Sequence, residues 1–154
     1  MYYVVVAAFM FVLPVLSVAV ELAVADASIG AATVCKWFAF WSVGWRLLLA
    51  GLKQIAQPQY TAHTILGLRN AESLTLVREL GFANVSMGLL GVLSLLVPSW
   101  QLGAALAGGV FYALAGTNHL FQVHRNRLES AAMLSDIFAA VVLLGACAAA
   151  VTSR

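Results

Sequence analysis

The sequence predicts an all-α, polytopic transmembrane helix bundle of about five spans, forming a single domain over residues 1–154. Two observations carry that prediction. Apolar residues make up 63% of the chain and charged residues only 9%, far below the roughly 25% charge of soluble domains. The apolar residues also fall in runs of bilayer length, divided by short polar or Pro-containing connections.

The first run, Tyr2 to Val20, carries no charge and is expected to span as part of residues 2–25, since the hydrocarbon core needs about 20 residues of helix. Ala23-Val24-Ala25 before Asp26 resembles a signal-peptide cleavage site. A basic n-region is missing, however, and the run exceeds the usual h-region of roughly 7–15 residues, so a retained span is the expectation. Pro14 lies mid-run and predicts a kink, because it lacks a backbone donor and its ring crowds the preceding turn.

The second span is placed at about residues 33–57, with Arg46 the only charge between Trp37 and Leu52 and Pro58 closing it. The third is placed at about 75–97 and stopped by Pro98, with its helix starting earlier, near Asn70. The fourth, about 101–123, follows the tight turn Pro98-Ser99-Trp100, which implies antiparallel neighbours. The fifth, about 129–151, carries Asp136. Residues 58–74 form the connection of moderate polarity, expected to lie at the membrane surface.

Positive charge sets the orientation, because cytoplasmic connections retain an excess of Lys and Arg. Lys53, Arg69, Arg78, Arg125 and Arg127 fall on one side, against Lys36 and Arg154 on the other. The expected topology is a multi-pass protein of a bacterial inner membrane with a cytoplasmic N-terminus and a periplasmic C-terminus. No basic tract could follow a phosphate backbone, so nucleic acid is excluded as a partner.

Ionisable groups within a span cost about 2.5–3.5 kcal/mol on insertion scales and so tend to face the bundle interior with partners. Arg46, Asn84, Asn118, His119 and Asp136 all fall in the cytoplasmic half of their spans, with Glu79 nearer the headgroups. Helical spacing groups Ser42, Arg46, Lys53 and Gln57 on one stripe; if the polar faces of the spans converge, Asp136 is the candidate ion partner of Arg46, with Asn118 and His119 nearby. Two readings stand. The cluster either fixes helix register, or forms a site in which Arg46 holds an anionic or carbonyl-bearing ligand while His119 and Asp136 move protons.

Gly81, Asn84, Gly88 and Gly91 give the third span a small-residue face suited to close helix packing. Ala107, Gly108, Gly109, Ala113 and Gly116 give the fourth a similar character, fit for internal packing or for association with another protein. Trp37, Trp41 and Trp45 recur every four residues, and with Trp100 suggest interfacial anchoring at one end and ring packing deeper in. His63, His119 and His124 lack ligand spacing, so no metal site is expected; Cys35 and Cys147 read first as two buried thiols, with a disulfide between the external halves of their spans as the alternative. No nucleophile elbow, P-loop, dinucleotide fingerprint or HExxH occurs, so no catalytic residues are assigned and the cofactor is left open.

Trp45-Arg46-Leu47-Leu48-Leu49-Ala50-Gly51-Leu52-Lys53, then Glu79-Leu80-Gly81-Phe82-Ala83-Asn84 leading into Gly88-Leu89-Leu90-Gly91, resembles DoxX-like bacterial membrane proteins and a smaller uncharacterised family related to them. The resemblance covers about Phe40 to Ala150. It implies a small inner-membrane bundle with a four-helix core, to which Tyr2–Val20 adds an N-terminal helix; some relatives are linked to redox or thiol stress. The reading placed first is a non-enzymatic membrane protein, acting as a homo-oligomer or an accessory subunit beside other membrane proteins. Second comes a redox, quinone- or lipid-binding protein using Arg46, His119 and Asp136 with Trp41 and Trp45 as ring surfaces. Third is a small proton-coupled transporter.

Overall fold

The computed structural model describes residues 2–25, 30–122 and 126–152, which leaves Asp26, His124, Arg125 and Arg154 of the sequence argument outside the described residues. Among the described residues the chain is helical, with five long helices: α1 (Tyr2–Ala25), α2 (residues 31–56), α3 (Glu72–Leu93), α4 (Gln101–Leu120) and α5 (Arg127–Thr152). Three of them, α1, α3 and α5, are long and apolar enough to cross a membrane. In α2, Lys36, Arg46 and Lys53 dilute the apolar run, as do Gln101, Asn118 and His119 in α4. Leu96, Leu114, Val141 and Val20 are at least 60% exposed. An outer surface of this kind is matched to hydrocarbon, while helices keep every backbone polar group satisfied within the segment.

Helix α2 touches all four others. Its pairing with α3 is antiparallel and backbone-close. A Cβ built on Gly91 would stand 2.5 Å from Gly44 N, and one built on Gly88 would stand 2.5 Å from Leu48 N. On the next turns Gly51 and Gly81 meet, a Cβ on Gly51 falling 2.6 Å from the Gly81 carbonyl oxygen. Gly81, Gly88 and Gly91 are thus all spent on α2. The α4 small face is used the same way, Gly108 against Val43 and Gly109 and Gly116 against Leu144 and Ile137 of α5. Val6 and Met10 of α1, Val43 and Leu47 of α2, Tyr112 of α4 and Leu143 of α5 fill the space between.

Three segments wind more widely than an α-helix: Ala8–Val12 in α1, Ala39–Trp45 in α2, and the isolated Tyr60–Ile65. In α1 the wide turn directly precedes Pro14 and places the Leu13 N–H on the Ala8 carbonyl. Extra width there accommodates a residue that cannot donate and would crowd the preceding turn. Pro14 itself is fully buried.

Helix ends differ from the sequence expectation where side chains compete for backbone groups. Helix α3 stops at Leu93 rather than near Val97, because the Ser94 hydroxyl donates to the Gly91 carbonyl at 2.7 Å and Pro98 holds Val97 extended (φ −121°, ψ 86°). Helix α5 starts at Arg127 behind a reciprocal cap. Asn126 Oδ1 accepts from Leu128 N at 2.8 Å and Glu129 N at 2.9 Å, and Glu129 Oε2 accepts from Asn126 N at 2.9 Å. Residues 58–74 are not all surface, since Pro58, Thr61 and Ala62 are buried and Asn126 Nδ2 donates to the Ile65 carbonyl at 2.7 Å.

Gly88→Ala and Gly91→Ala are expected to destabilise the bundle by about 1–3 kcal/mol each, the usual cost of overpacking. Gly103→Ala and Gly145→Ala, whose added Cβ meets nothing within 4 Å, should leave stability unchanged or raised. Thermal unfolding of the four variants in one detergent measures the contrast.

Candidate functional site

The wide turn of α2 prepares the site. In an unbroken α-helix the Arg46 N–H would bond the Ser42 carbonyl; here it bonds the carbonyls of Trp41 and Val43 instead. The passed-over Ser42 carbonyl accepts a hydrogen bond from the buried Tyr112 hydroxyl of α4. Ser42 Oγ donates in the other direction, to the Phe9 carbonyl of α1 at 3.1 Å. One residue therefore ties three helices at one level, and Arg46 emerges just beyond it.

Arg46 enters a half-open cavity of about 420 Å³ lined by all five helices and the Tyr60–Ile65 segment. Its guanidinium carbon stands 6.0 Å from the centre of the Tyr2 ring, and its Nε is buried without a hydrogen-bond partner. Asn84, 3% exposed, donates from Nδ2 to Gln54 Oε1 at 2.8 Å, while its Oδ1 has no partner. Asp136, 8% exposed, and the half-buried His119 line the same space, and His119 Nδ1 lies 3.4 Å from Gln122 Oε1. Lys53 lines it too, with its ammonium 4.0 Å from the Tyr60 ring centre. The remaining wall is apolar and aromatic, including Leu47, Leu80, Phe111, Tyr112 and Ala115.

The structure thus brings Arg46, Asn84, His119 and Asp136 together and leaves Glu79 and Asn118 outside. Both of these are exposed. Asn118 adjoins His119 in sequence but points about 100° away, and Glu79 stands on a different face of α3 from Asn84. The expected Arg46–Asp136 ion pair is corrected as well. Among the described residues the ion pair within 4.0 Å is Lys36–Glu21 at the opposite end of the bundle, and Arg46 and Asp136 share the cavity without direct contact.

Trp41 and Trp45 do not line the cavity, so they supply no ring surface there. Trp41 Nε1 donates to Ser17 Oγ at 2.9 Å and Trp37 Nε1 to Glu21, which makes this part of the stripe an α1–α2 seam. The stripe of Ser42, Arg46, Lys53 and Gln57 also breaks apart: Ser42 faces α1, Arg46 and Lys53 face the cavity, and Gln57 is exposed. An extra residue in the wide turn shifts the faces on either side of it. Sequence reasoning missed Tyr2, Gln54, Tyr60 and Thr61. Gln54 carried a signal, as an amide inside a span; nothing in the sequence folds Tyr60 and Thr61 back over the bundle.

No group of three or more His, Cys, Asp or Glu among the described residues is arranged to hold a metal ion. Cys35 and Cys147 are free, buried and part of the apolar core, away from the cavity. What the cavity offers is a half-buried guanidinium with a buried Nε donor, a second cation, a carboxylate, an imidazole and an amide pair on an aromatic wall. That set suits recognition of an oxygen-bearing head on an apolar body.

A family model described as a family of unknown function (DUF6790) matches residues 4–153. No DoxX-type family matches, so of the resemblance only the part to an uncharacterised family is supported. No curated protein and no solved structure matches the chain.

Gln54→Leu and Asn84→Leu should each lower stability by leaving the other amide unpaired in the bundle. The double variant should recover part of that loss, giving a coupling of about 0.6–2 kcal/mol. A double-mutant cycle in denaturant reads it.

Proposed function

We propose that this chain, which belongs to the family of unknown function DUF6790, is a multi-pass membrane protein whose bundle binds one amphipathic small molecule, a quinone-like or lipid-like ligand anchored by Arg46. One observation carries the reading: a guanidinium enters a mostly apolar cavity with its Nε buried and unpartnered, sharing the space with Asp136 but not in contact with it. A buried donor left unpaired is costly, whereas a ligand oxygen at that nitrogen completes a charge-assisted hydrogen bond. The role is binding, with Asp136 and His119 available to exchange a proton with the bound head.

Five spans with a cytoplasmic N-terminus remain the topology we favour, in a bacterial inner membrane. Support comes from the antiparallel pairing of α2 with α3 and of α4 with α5, and from Lys53, Arg69, Arg78 and Arg127 at the cavity end. The cavity then opens from the cytoplasmic half of the bilayer. Self-association or service as an accessory subunit has a narrower footing, because the glycine faces that suggested it are occupied inside the bundle. Gly103 and Gly145 alone among the α4 and α5 glycines stand in open space.

Native mass spectrometry of protein extracted gently from its own membrane is expected to show one small molecule held per chain. Arg46→Gln should cut its occupancy at least about tenfold, the scale of one lost charged hydrogen bond. Lys36→Gln, at the far end of the bundle, should retain it. Empty wild-type protein, or full occupancy in Arg46→Gln, would contradict the proposal.

A further inference from the structure

The two unpartnered atoms in the cavity are of opposite kind. Arg46 Nε is a donor and Asn84 Oδ1 an acceptor, both are buried, and both residues line the same space. Within a bundle in hydrocarbon, neither can turn to bulk water without leaving the cavity. One ligand that satisfies both must carry an acceptor and a donor.

Helix register places the two residues at different levels of the bundle. Gly91 lies on Gly44, Gly88 on Leu48 and Gly81 beside Gly51, which places Asn84 of α3 near the level of Gly51. From Arg46 to Gly51 the α2 axis rises about 7.5 Å at 1.5 Å per residue. Tyr2, Tyr60, Phe111 and Tyr112 line the same cavity, so a ring that carries both groups finds aromatic walls to pack on.

Resting on the reading that this cavity binds an amphipathic molecule, we propose that its ligand is a hydroxylated ring compound on an apolar tail. A carbonyl-type oxygen at one end accepts from Arg46 Nε–H, and a hydroxyl at the other end donates to Asn84 Oδ1. A fully oxidised quinone, with acceptors at both ends, satisfies Arg46 and leaves Asn84 Oδ1 unpaired. The site therefore discriminates in favour of the ring that carries a hydroxyl.

Heptyl 4-hydroxybenzoate and heptyl 4-methoxybenzoate, in which a methyl group replaces the donor hydrogen, serve as paired probes. Binding is measured on the full chain in lipid nanodiscs, by displacement of co-purified ligand or by isothermal titration calorimetry. The hydroxy ester should bind wild-type protein at least about tenfold tighter than the methoxy ester, since a site built to hydrogen-bond a hydroxyl rejects its absence strongly. In Asn84→Leu the preference should fall to near parity, and in Arg46→Gln both esters should weaken together. The wild-type comparison stands alone if Asn84→Leu fails to fold. Equal binding of the two esters, or tighter binding of the methoxy ester, overturns the donor–acceptor pairing while leaving ligand binding at Arg46 intact. Binding of neither ester, with no co-purified molecule, overturns both.

Discussion

The wide turn at Ala39–Trp45 is the constraint on which the rest of the architecture depends. By sending the Arg46 N–H past the Ser42 carbonyl, it frees one backbone acceptor inside the bundle, where a buried acceptor must find a donor. Tyr112 provides that donor and draws α4 onto α2, while the Ser42 hydroxyl reaches α1. A defect in one helix thereby becomes the joint of three, and it aims the charged side chain that follows into the space between them.

Close packing by glycine does the complementary work. Because α2 and α3 approach until backbone meets backbone, bulky side chains are excluded from their seam, and the polar groups Gln54 and Asn84 meet at its edge. On the other side of α2, where Tyr2, Phe111 and Tyr112 are large, the helices stand far enough apart to leave a cavity of about 420 Å³. Small residues in one seam and aromatic residues around another are therefore two halves of the same geometry. The segment after Pro58 folds back to close the open end, held to the start of α5 by Asn126.

Much of this was legible in the sequence, for physical reasons that can be named residue by residue. Helical content and the five helical stretches follow from apolar run length, and the small-residue spacing of Gly81, Gly88 and Gly91 marks the face that α3 turns to a neighbour. Arg46, Asn84, His119 and Asp136 stand out because polar groups inside an apolar run must face inward. Face assignments were less legible. They assumed 3.6 residues per turn throughout, and the wide turn broke the stripe that joined Ser42 to Arg46 and left Trp41 and Trp45 away from the cavity. Glu79 and Asn118 were grouped by depth alone, and depth does not fix direction. Tyr60 and Thr61 could not be found at all, because their place over the cavity comes from tertiary folding of a connection with no periodic pattern.

The central claim is that the Arg46 guanidinium is completed by a ligand rather than by the protein. Nitrogen-15 NMR of the Arg46 side chain tests it directly, comparing nanodiscs that carry the protein's native membrane extract with nanodiscs made from one synthetic lipid after exhaustive delipidation. The account predicts an Nε–H resonance shifted downfield and protected from solvent exchange in the native extract, and lost or moved in the synthetic lipid. The same shift and the same exchange rate in both would mean that the protein satisfies Arg46 unaided, and would contradict it.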